Sequence, residues 1–310
     1  MGLKSLARSS LMRLWFGPPS VETRYGRPVA WDDAGNRVVA DAITAGEPCM
    51  VSRLGSAEMG VVSFYLRWRH SRALKFTYPV PVRKVIRCNA GVFPDDDFSL
   101  DRFAELYLDA LREADVMAVW FQRGEERIIT QYAPRACLIE LRSLVGLLFE
   151  EPWSSALADK RVLVVHPFAA TIASQYAEHR AELFADPRVL PAFELRTLAP
   201  PLTVGSATGG FQSWFDALED TRARIGREEY DVALIGAGAY GLPLAAAIKR
   251  AGRQAVHLGG TTQLLFGIKG RRWERESQDD IVPLFNEHWV RPSAEETPSD
   301  SSLVENGCYW

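Results

Sequence analysis

The stretch DVALIGAGAYGLPLAAAIKRAGRQAVHLGG, residues 231–260, reads as a strand, a glycine-rich turn, a helix and a second strand. Residues 231–235, Asp231 followed by four apolar residues, have the length and composition of a buried strand. Gly236, Gly238 and Gly241 follow in the spacing GxGxxG, with Tyr240 inside the turn. A helix over 242–251 then leads to a strand over 254–258. Glycines in that context allow a tight turn, and free backbone N–H groups at the helix start favour a phosphate. The same alternation extends outward. Strands are expected at 48–52, 85–88, 116–121, 161–165 and 193–198, and helices at 57–67, 100–114, 135–149, 169–185 and 211–225. This predicts an α/β fold, a Rossmann-like and mainly parallel sheet flanked by helices.

Three segments are expected along the chain. Residues 1–25 form a basic amphipathic arm. Residues 26–290 form the α/β domain, with halves at about 26–150 and 160–290 separated by EEPWSSALADK. Residues 291–310 form a polar tail whose aromatic end, Tyr309 and Trp310, is costly to leave in water and should dock.

Composition narrows the function classes. The 310 residues carry 36 Lys plus Arg against 39 Asp plus Glu, a formal net charge of −3. No basic run marks a nucleic-acid face, so nucleic acid is not expected as a partner. No apolar stretch approaches the roughly 18 residues that cross a bilayer. Cys49, Cys88, Cys137 and Cys308 lack zinc-knuckle spacing and read as reduced thiols of a cytoplasmic protein. Lys4, Arg8 and Arg13, interleaved with leucines, suit peripheral contact of residues 3–16 with an anionic membrane face.

In an open parallel sheet, ligands bind beyond the carboxyl ends of the strands, so the turns there hold the candidate residues. The first turn is Ser52-Arg53-Leu54-Gly55-Ser56-Ala57-Glu58. Arg53 can fork onto a phosphate or carboxylate, Gly55 permits close approach, and Glu58 can accept a proton or bind a metal. The second is Gly236 to Gly241. An acid about 20 residues on, which would hold a ribose, is missing, and His257, Leu258, Gly259 and Gly260 stand there instead. A nicotinamide cofactor is therefore disfavoured, while a nucleoside diphosphate fits. The third runs from Gly259 and Gly260 through Gln263 to Arg271. His166, at a strand end before Pro167, is placed to act as a base or a hydrogen-bond donor. Asp95-Asp96-Asp97 contains Asp-x-Asp but precedes a helix, so turn and capping chemistry is expected.

The segment PCMVSRLGSAEM resembles the R-x-G-D-G-E region of the GT-D fold glycosyltransferases, bacterial enzymes that use nucleotide sugars. The 231–260 block is similar to their second, glycine-rich signature, and the block GGTTQLLFGIKGRRW is similar to one in uncharacterised bacterial proteins. The likeness spans about residues 45–275. Arg53, Gly55 and Glu58 match the first signature, whereas Ser56 stands where the family has Asp.

The resemblance implies transfer of a sugar from a nucleoside diphosphate donor to a glycan or lipid-linked acceptor in surface polysaccharide synthesis. It implies Glu58 and His166 as catalytic groups. Arg53, Gly55, Ser56, Gly236, Gly238, Tyr240 and Gly241 would hold the nucleotide; His257, Gly259, Gly260, Gln263 and Arg271 the substrate. With Ser56 in place of Asp, use of a divalent ion such as manganese stays open, as do the identity of the base and the oligomeric state. Two alternatives stand beside the transferase: a non-catalytic nucleotide- or glycan-binding protein of such a pathway, and another Rossmann-type nucleotide-dependent enzyme.

Overall fold

The computed structural model of the protein describes residues 21–70, 75–274 and 280–310. The basic stretch over 3–16 lies outside the described residues. A nine-stranded open sheet carries the architecture. In chain order its strands are β1 (Val21–Arg24), β2 (Arg27–Ala30), β3 (Met50–Arg53), β4 (Val116–Val119), β5 (Cys137–Glu140), β6 (Arg161–Val165), β7 (Glu194–Leu198), β8 (Val232–Ile235) and β9 (Gln254–His257). Their spatial order is β1-β2-β5-β4-β3-β9-β8-β6-β7. The β1–β2 hairpin is antiparallel and the other pairings are parallel. The chain is thus an α/β protein with a Rossmann-like sheet. Strands from before and after residues 150–160 meet in it, since β3 pairs with β9 through Met50–Ala255 and Val51–Val256.

The helices are α1 (Asp32–Thr44), α2 (Ser56–Trp68), α3 (Val80–Ala90), α4 (Asp97–Leu111), α5 (Glu125–Tyr132), α6 (Ala169–His179), α7 (Trp214–Ile225), α8 (Gly241–Arg250) and the single turn α9 (Thr262–Leu265). The strands are apolar on both faces because helices cover both. Met50, Met117, Val119, Ala233 and Ile235 enter one core, with α2, α4, α7 and α8. Their neighbours Val51, Val116, Ala118, Val232 and Leu234 enter the other, with α1 and α6. No helix among the described residues is long and apolar enough to cross a membrane.

Two local expectations are corrected. Val85–Cys88, expected as a strand, lies inside α3. Pro81 near its start and Gly91 in the left-handed region at φ 75° bound that helix, and only Ile86 of the β-branched pair is buried, Val85 being exposed. Single-face burial is the helical solution for that run. The helix expected over 135–149 is instead β5 followed by 3₁₀ turns at Leu141–Leu144 and Gly146–Leu148. Leu138 and Ile139 point into opposite cores, which a strand between β2 and β4 allows. The cap of α4 is Asp96, whose carboxylate accepts from the N–H groups of Phe98 and Ser99 at 3.0 Å, so the Asp95–Asp97 run serves helix initiation.

Candidate functional site

The carboxyl ends of β3, β4, β5, β6, β8 and β9 open onto a cavity of about 700 Å³. That volume lies in the range of small-molecule sites. Arg53 ends β3, His257 ends β9, Gly236 follows β8 and His166 follows β6, so parallel alignment brings all four to one rim.

Arg53 lies in the wall with its guanidinium over the Trp120 ring, 5.2 Å from the centroid. Its Nε and Nη2 donate to the Leu54 carbonyl at 3.3 and 2.9 Å. Nη1 faces Gly259, where an added Cβ would sit 3.0 Å away. Among the described residues Arg53 has no carboxylate in ion-pair contact. Gly259 adopts φ 66°, and its carbonyl abuts Gly236, where an added Cβ would lie 2.8 Å from that oxygen and 2.5 Å from His166 Cδ2. Arg53, Gly259, Gly236 and His166 therefore form one continuous stretch of wall.

Glu58 is the third residue of α2, and its carboxyl folds back over Gly55 at the helix start. A Cβ on Gly55 would stand 2.0 Å from Oε2. Glu58 occupies the position of a capping-box acid, three residues after the N-cap Gly55, and turns back toward its own backbone N–H. The side chain is buried. Burial raises the Glu58 carboxyl above the ordinary carboxylate range. Its own backbone N–H and Arg53 pull it down, and Glu305 pushes it up.

The two histidines differ in what they can do. His166 Nδ1 accepts the Phe168 N–H at 3.0 Å, so the neutral ring carries its proton on Nε2. Burial pushes His166 down to about 3, and the ring stays neutral. With one nitrogen occupied and the other protonated, His166 is a hydrogen-bond donor to the cavity. His257 Nδ1 meets the Ser52 hydroxyl at 3.0 Å, and its Nε2 stands 2.2 Å from where a Gly241 Cβ would be. Burial, with Arg53 adding to it, lowers His257 to about 3. His257 thus fills the gap between the carboxyl ends of the central strands β3 and β9 and the start of α8.

Within the motif, glycine serves two ends. Gly236 and Gly241 leave room for His166 and His257. Gly238 adopts φ 50°, is exposed, and a Cβ there would meet only the Ala90 carbonyl at an ordinary 3.9 Å. Tyr240 is occupied by packing: its ring stacks on Trp214 at 5.2 Å and its hydroxyl meets Thr203 at 2.8 Å. Tyr107 of α4 donates to the Ala239 carbonyl at 2.6 Å and pins the turn from behind. Gly55 and the exposed Ser56 also line the cavity.

The C-terminal segment supplies a wall that the motifs did not announce. Arg272 pairs with Glu305, donates to the Tyr309 hydroxyl at 3.2 Å and lies 4.6 Å from the Tyr309 ring centroid. A Cβ on Gly260 would be 2.7 Å from Tyr309 Cε1. Trp310 donates to the Glu296 carbonyl at 3.0 Å and meets Phe168 edge-on at 6.0 Å. Arg271 is exposed and faces away from the cavity, so the arginine in the wall is its neighbour Arg272. Gln263 lies outside the lining too: its Nε2 donates to the carbonyls of Ile268 and Tyr309 at 3.1 and 3.3 Å, holding the segment in place. Trp120, Arg272, Glu305, Tyr309 and Trp310 were missed. The aromatic end of the chain was the one sequence signal for this wall.

At the cavity Ser56 offers a hydroxyl as a ligand, and among the described residues no three His, Cys, Asp or Glu side chains cluster there at ligand spacing.

No family model and no curated protein matches the chain. A solved structure described as a selenomethionine-substituted domain of unknown function 1792 (DUF1792) is similar at a TM-score of 0.39 and 15% identity, over 73% of this chain and 77% of that one. At that similarity it carries no argument about activity.

Proposed function

We propose that the cavity binds a nucleoside diphosphate sugar and transfers the sugar to a hydroxyl of a glycan or lipid-linked acceptor. The observation that carries the reading is Arg53. It is a guanidinium held on Trp120 without a carboxylate partner among the described residues, in a cavity that also contains the buried Glu58. A stacked, partly desolvated arginine is suited to a diphosphate. The choice of a sugar as the transferred group rests on the resemblance of residues 48–59 and 231–260 to the GT-D signatures.

In the proposed reaction the bond between the anomeric carbon and the donor phosphate oxygen breaks, and its electron pair leaves with the diphosphate. Arg53 and the backbone amides near Gly238 balance that charge, the kind of term that is often the largest in catalysis. The acceptor oxygen bonds to the anomeric carbon and gives up its proton. Glu58, in its ionised form, takes that proton: it is the buried carboxyl of the cavity wall, and His166 has no free lone pair. His166 Nε2–H orients a donor or acceptor oxygen.

A thermal-shift and calorimetric screen with UDP, GDP, their sugars and NAD tests this. A UDP- or GDP-sugar should bind, and Arg53→Ala should weaken it by about 10- to 150-fold, the equivalent of about 1.5–3 kcal/mol for a charge-assisted hydrogen bond. Binding of NAD alone would overturn the reading. Ser56 favours a second reading, a nucleotide-binding protein without turnover; binding with neither donor hydrolysis nor transfer selects it.

A further inference from the structure

His179, Glu182 and His288 converge on the side of the molecule away from the sheet ends, each offering a ligand atom within 4.8 Å of the others. His179 closes α6, Glu182 sits in the turn after it, and His288 arrives from a loop more than a hundred residues later. Glu182 Oε2 is 2.9 Å from His179 Nδ1 and 3.6 Å from His288 Nδ1. Ligand atoms of a tetrahedral zinc site stand about 3.3 Å apart, given bonds of about 2.0–2.1 Å. The two distances bracket that value. The imidazoles lie 5.1 Å apart at 34°, so small ring rotations bring the third pair in.

We infer that His179, Glu182 and His288 bind a zinc ion. Two further observations support a built site. The outer ring nitrogens each face a second carboxylate: His179 Nε2 is 4.0 Å from Glu178, and His288 Nε2 is 3.9 Å from Glu287. Metal-bound histidines usually direct the distal N–H to a carboxylate; at these distances the two glutamates are charge neighbours rather than hydrogen-bond partners, close enough to take that role after a side-chain rotation. The backbones are also tied. The buried Gln175 donates to the His288 carbonyl at 2.8 Å, Asn286 to the Glu182 carbonyl at 2.9 Å, and Trp289 Nε1 to the Leu183 carbonyl at 3.3 Å. Two imidazoles and one carboxylate select a borderline ion such as zinc over calcium or magnesium. A fourth position remains for water, because the three side chains are part-exposed.

The ion clasps residues 286–289 to the carboxyl end of α6, while Glu296 holds the other end through the Ala170 N–H at 2.7 Å. That helix begins directly after His166, Pro167 and Phe168 of the cavity wall, so the clasp steadies the wall and the C-terminal segment together.

The test titrates zinc chloride into the metal-stripped full-length chain by calorimetry and follows cobalt uptake by its visible spectrum. One equivalent should bind, and the melting temperature should rise with zinc. Glu182→Gln should weaken binding by tenfold or more, and the double variant His179→Ala with His288→Ala should abolish it. These side chains are part-exposed, and matching circular dichroism spectra separate loss of ligands from loss of fold. His166 and His257 are buried in other contacts, so they do not supply the same site. No zinc on the wild-type chain, or equal uptake by the double variant, overturns the inference.

Discussion

Replacing Glu58 by glutamine keeps the size of the side chain and removes its charge. Burial holds the Glu58 carboxyl above its ordinary value of 4.5, so the folded protein retains that proton at pH values where the unfolded chain has lost it. Stability then falls as pH rises, because the folded state binds the extra proton. The contribution is fully present below about 4.5 and is lost as pH climbs through the raised value. One proton sets the steepest slope at about 1.4 kcal/mol per pH unit. Glu58→Gln lacks that term and keeps the helix-start hydrogen bond through its amide oxygen. The stability of the wild type minus that of the variant should therefore decline with pH from about 4.5 upward and level off once Glu58 ionises in the fold. Urea unfolding from pH about 4 to about 8 measures the difference, and other titrating groups cancel in the subtraction. A flat difference, or one rising with pH, would refute the reasoning, because it would mean that Arg53 and the helix start outweigh burial. The same variant should bind nucleotide normally and lose about 10²- to 10⁴-fold in transfer rate, the usual share of a general base. Unchanged turnover would remove Glu58 from the mechanism.

Gly241→Ala should cost about 1–3 kcal/mol, because its new Cβ would enter the space of the wedged His257 ring at an otherwise ordinary helical φ of −57°. Gly238→Ala should cost about 1–2 kcal/mol, through the left-handed φ alone, and should leave the His257 ring undisturbed. Thermal unfolding and the His257 ring resonances separate the two; a shift of those resonances in Gly238→Ala, or none in Gly241→Ala, contradicts the packing. Nitrogen-15 spectra should find His166 as the neutral tautomer protonated on Nε2, with no titration between pH about 5 and about 8; a mid-range titration would return it to candidacy as a base.

The parts of the fold that could be read early were those where local and tertiary demands agree. Residues 231–260 combine a run of buried residues, a glycine turn and an amphipathic helix, and each of these is visible in a short window. Val85–Cys88 misled because two β-branched residues look like a strand until Pro81 and Gly91 are weighed as helix boundaries. The run 135–149 misled in the opposite sense. Its apolar residues satisfy a helical period, but the open place between β2 and β4 demanded a strand, a demand set by elements far away in sequence. Among the residues that line the cavity, Arg53, Glu58, His166 and Gly236 could be located from the sequence because each immediately follows or ends a strand or opens a helix. Arg272 was missed by one position, since nothing in KGRRW tells which arginine turns inward until Tyr309 and Glu305 are placed beside it.

The placement of the C-terminal segment bears on what the glycines do. A row of glycines at strand ends suggests bare backbone waiting for a phosphate, yet most of these positions are backed by the protein's own side chains. Glu58 lies over Gly55, His166 against Gly236, His257 against Gly241 and Tyr309 against Gly260. Glycine here lets polar side chains reach the rim without being pushed back by a Cβ. Of these glycines Gly238 has the least covered backbone, and Arg53, Arg142 and Arg272 supply the cations among the described lining residues. Arg272 is already paired with Glu305 and Arg142 with Asp280, whereas Arg53, among the described residues, rests on the Leu54 carbonyl and the Trp120 face and reaches Glu58 at longer range, outside ion-pair contact. An anion entering the cavity therefore gains most beside Arg53 and Gly259, close to Glu58. A diphosphate seated there would bring its sugar near Glu58, the buried carboxyl among the described residues that line the cavity.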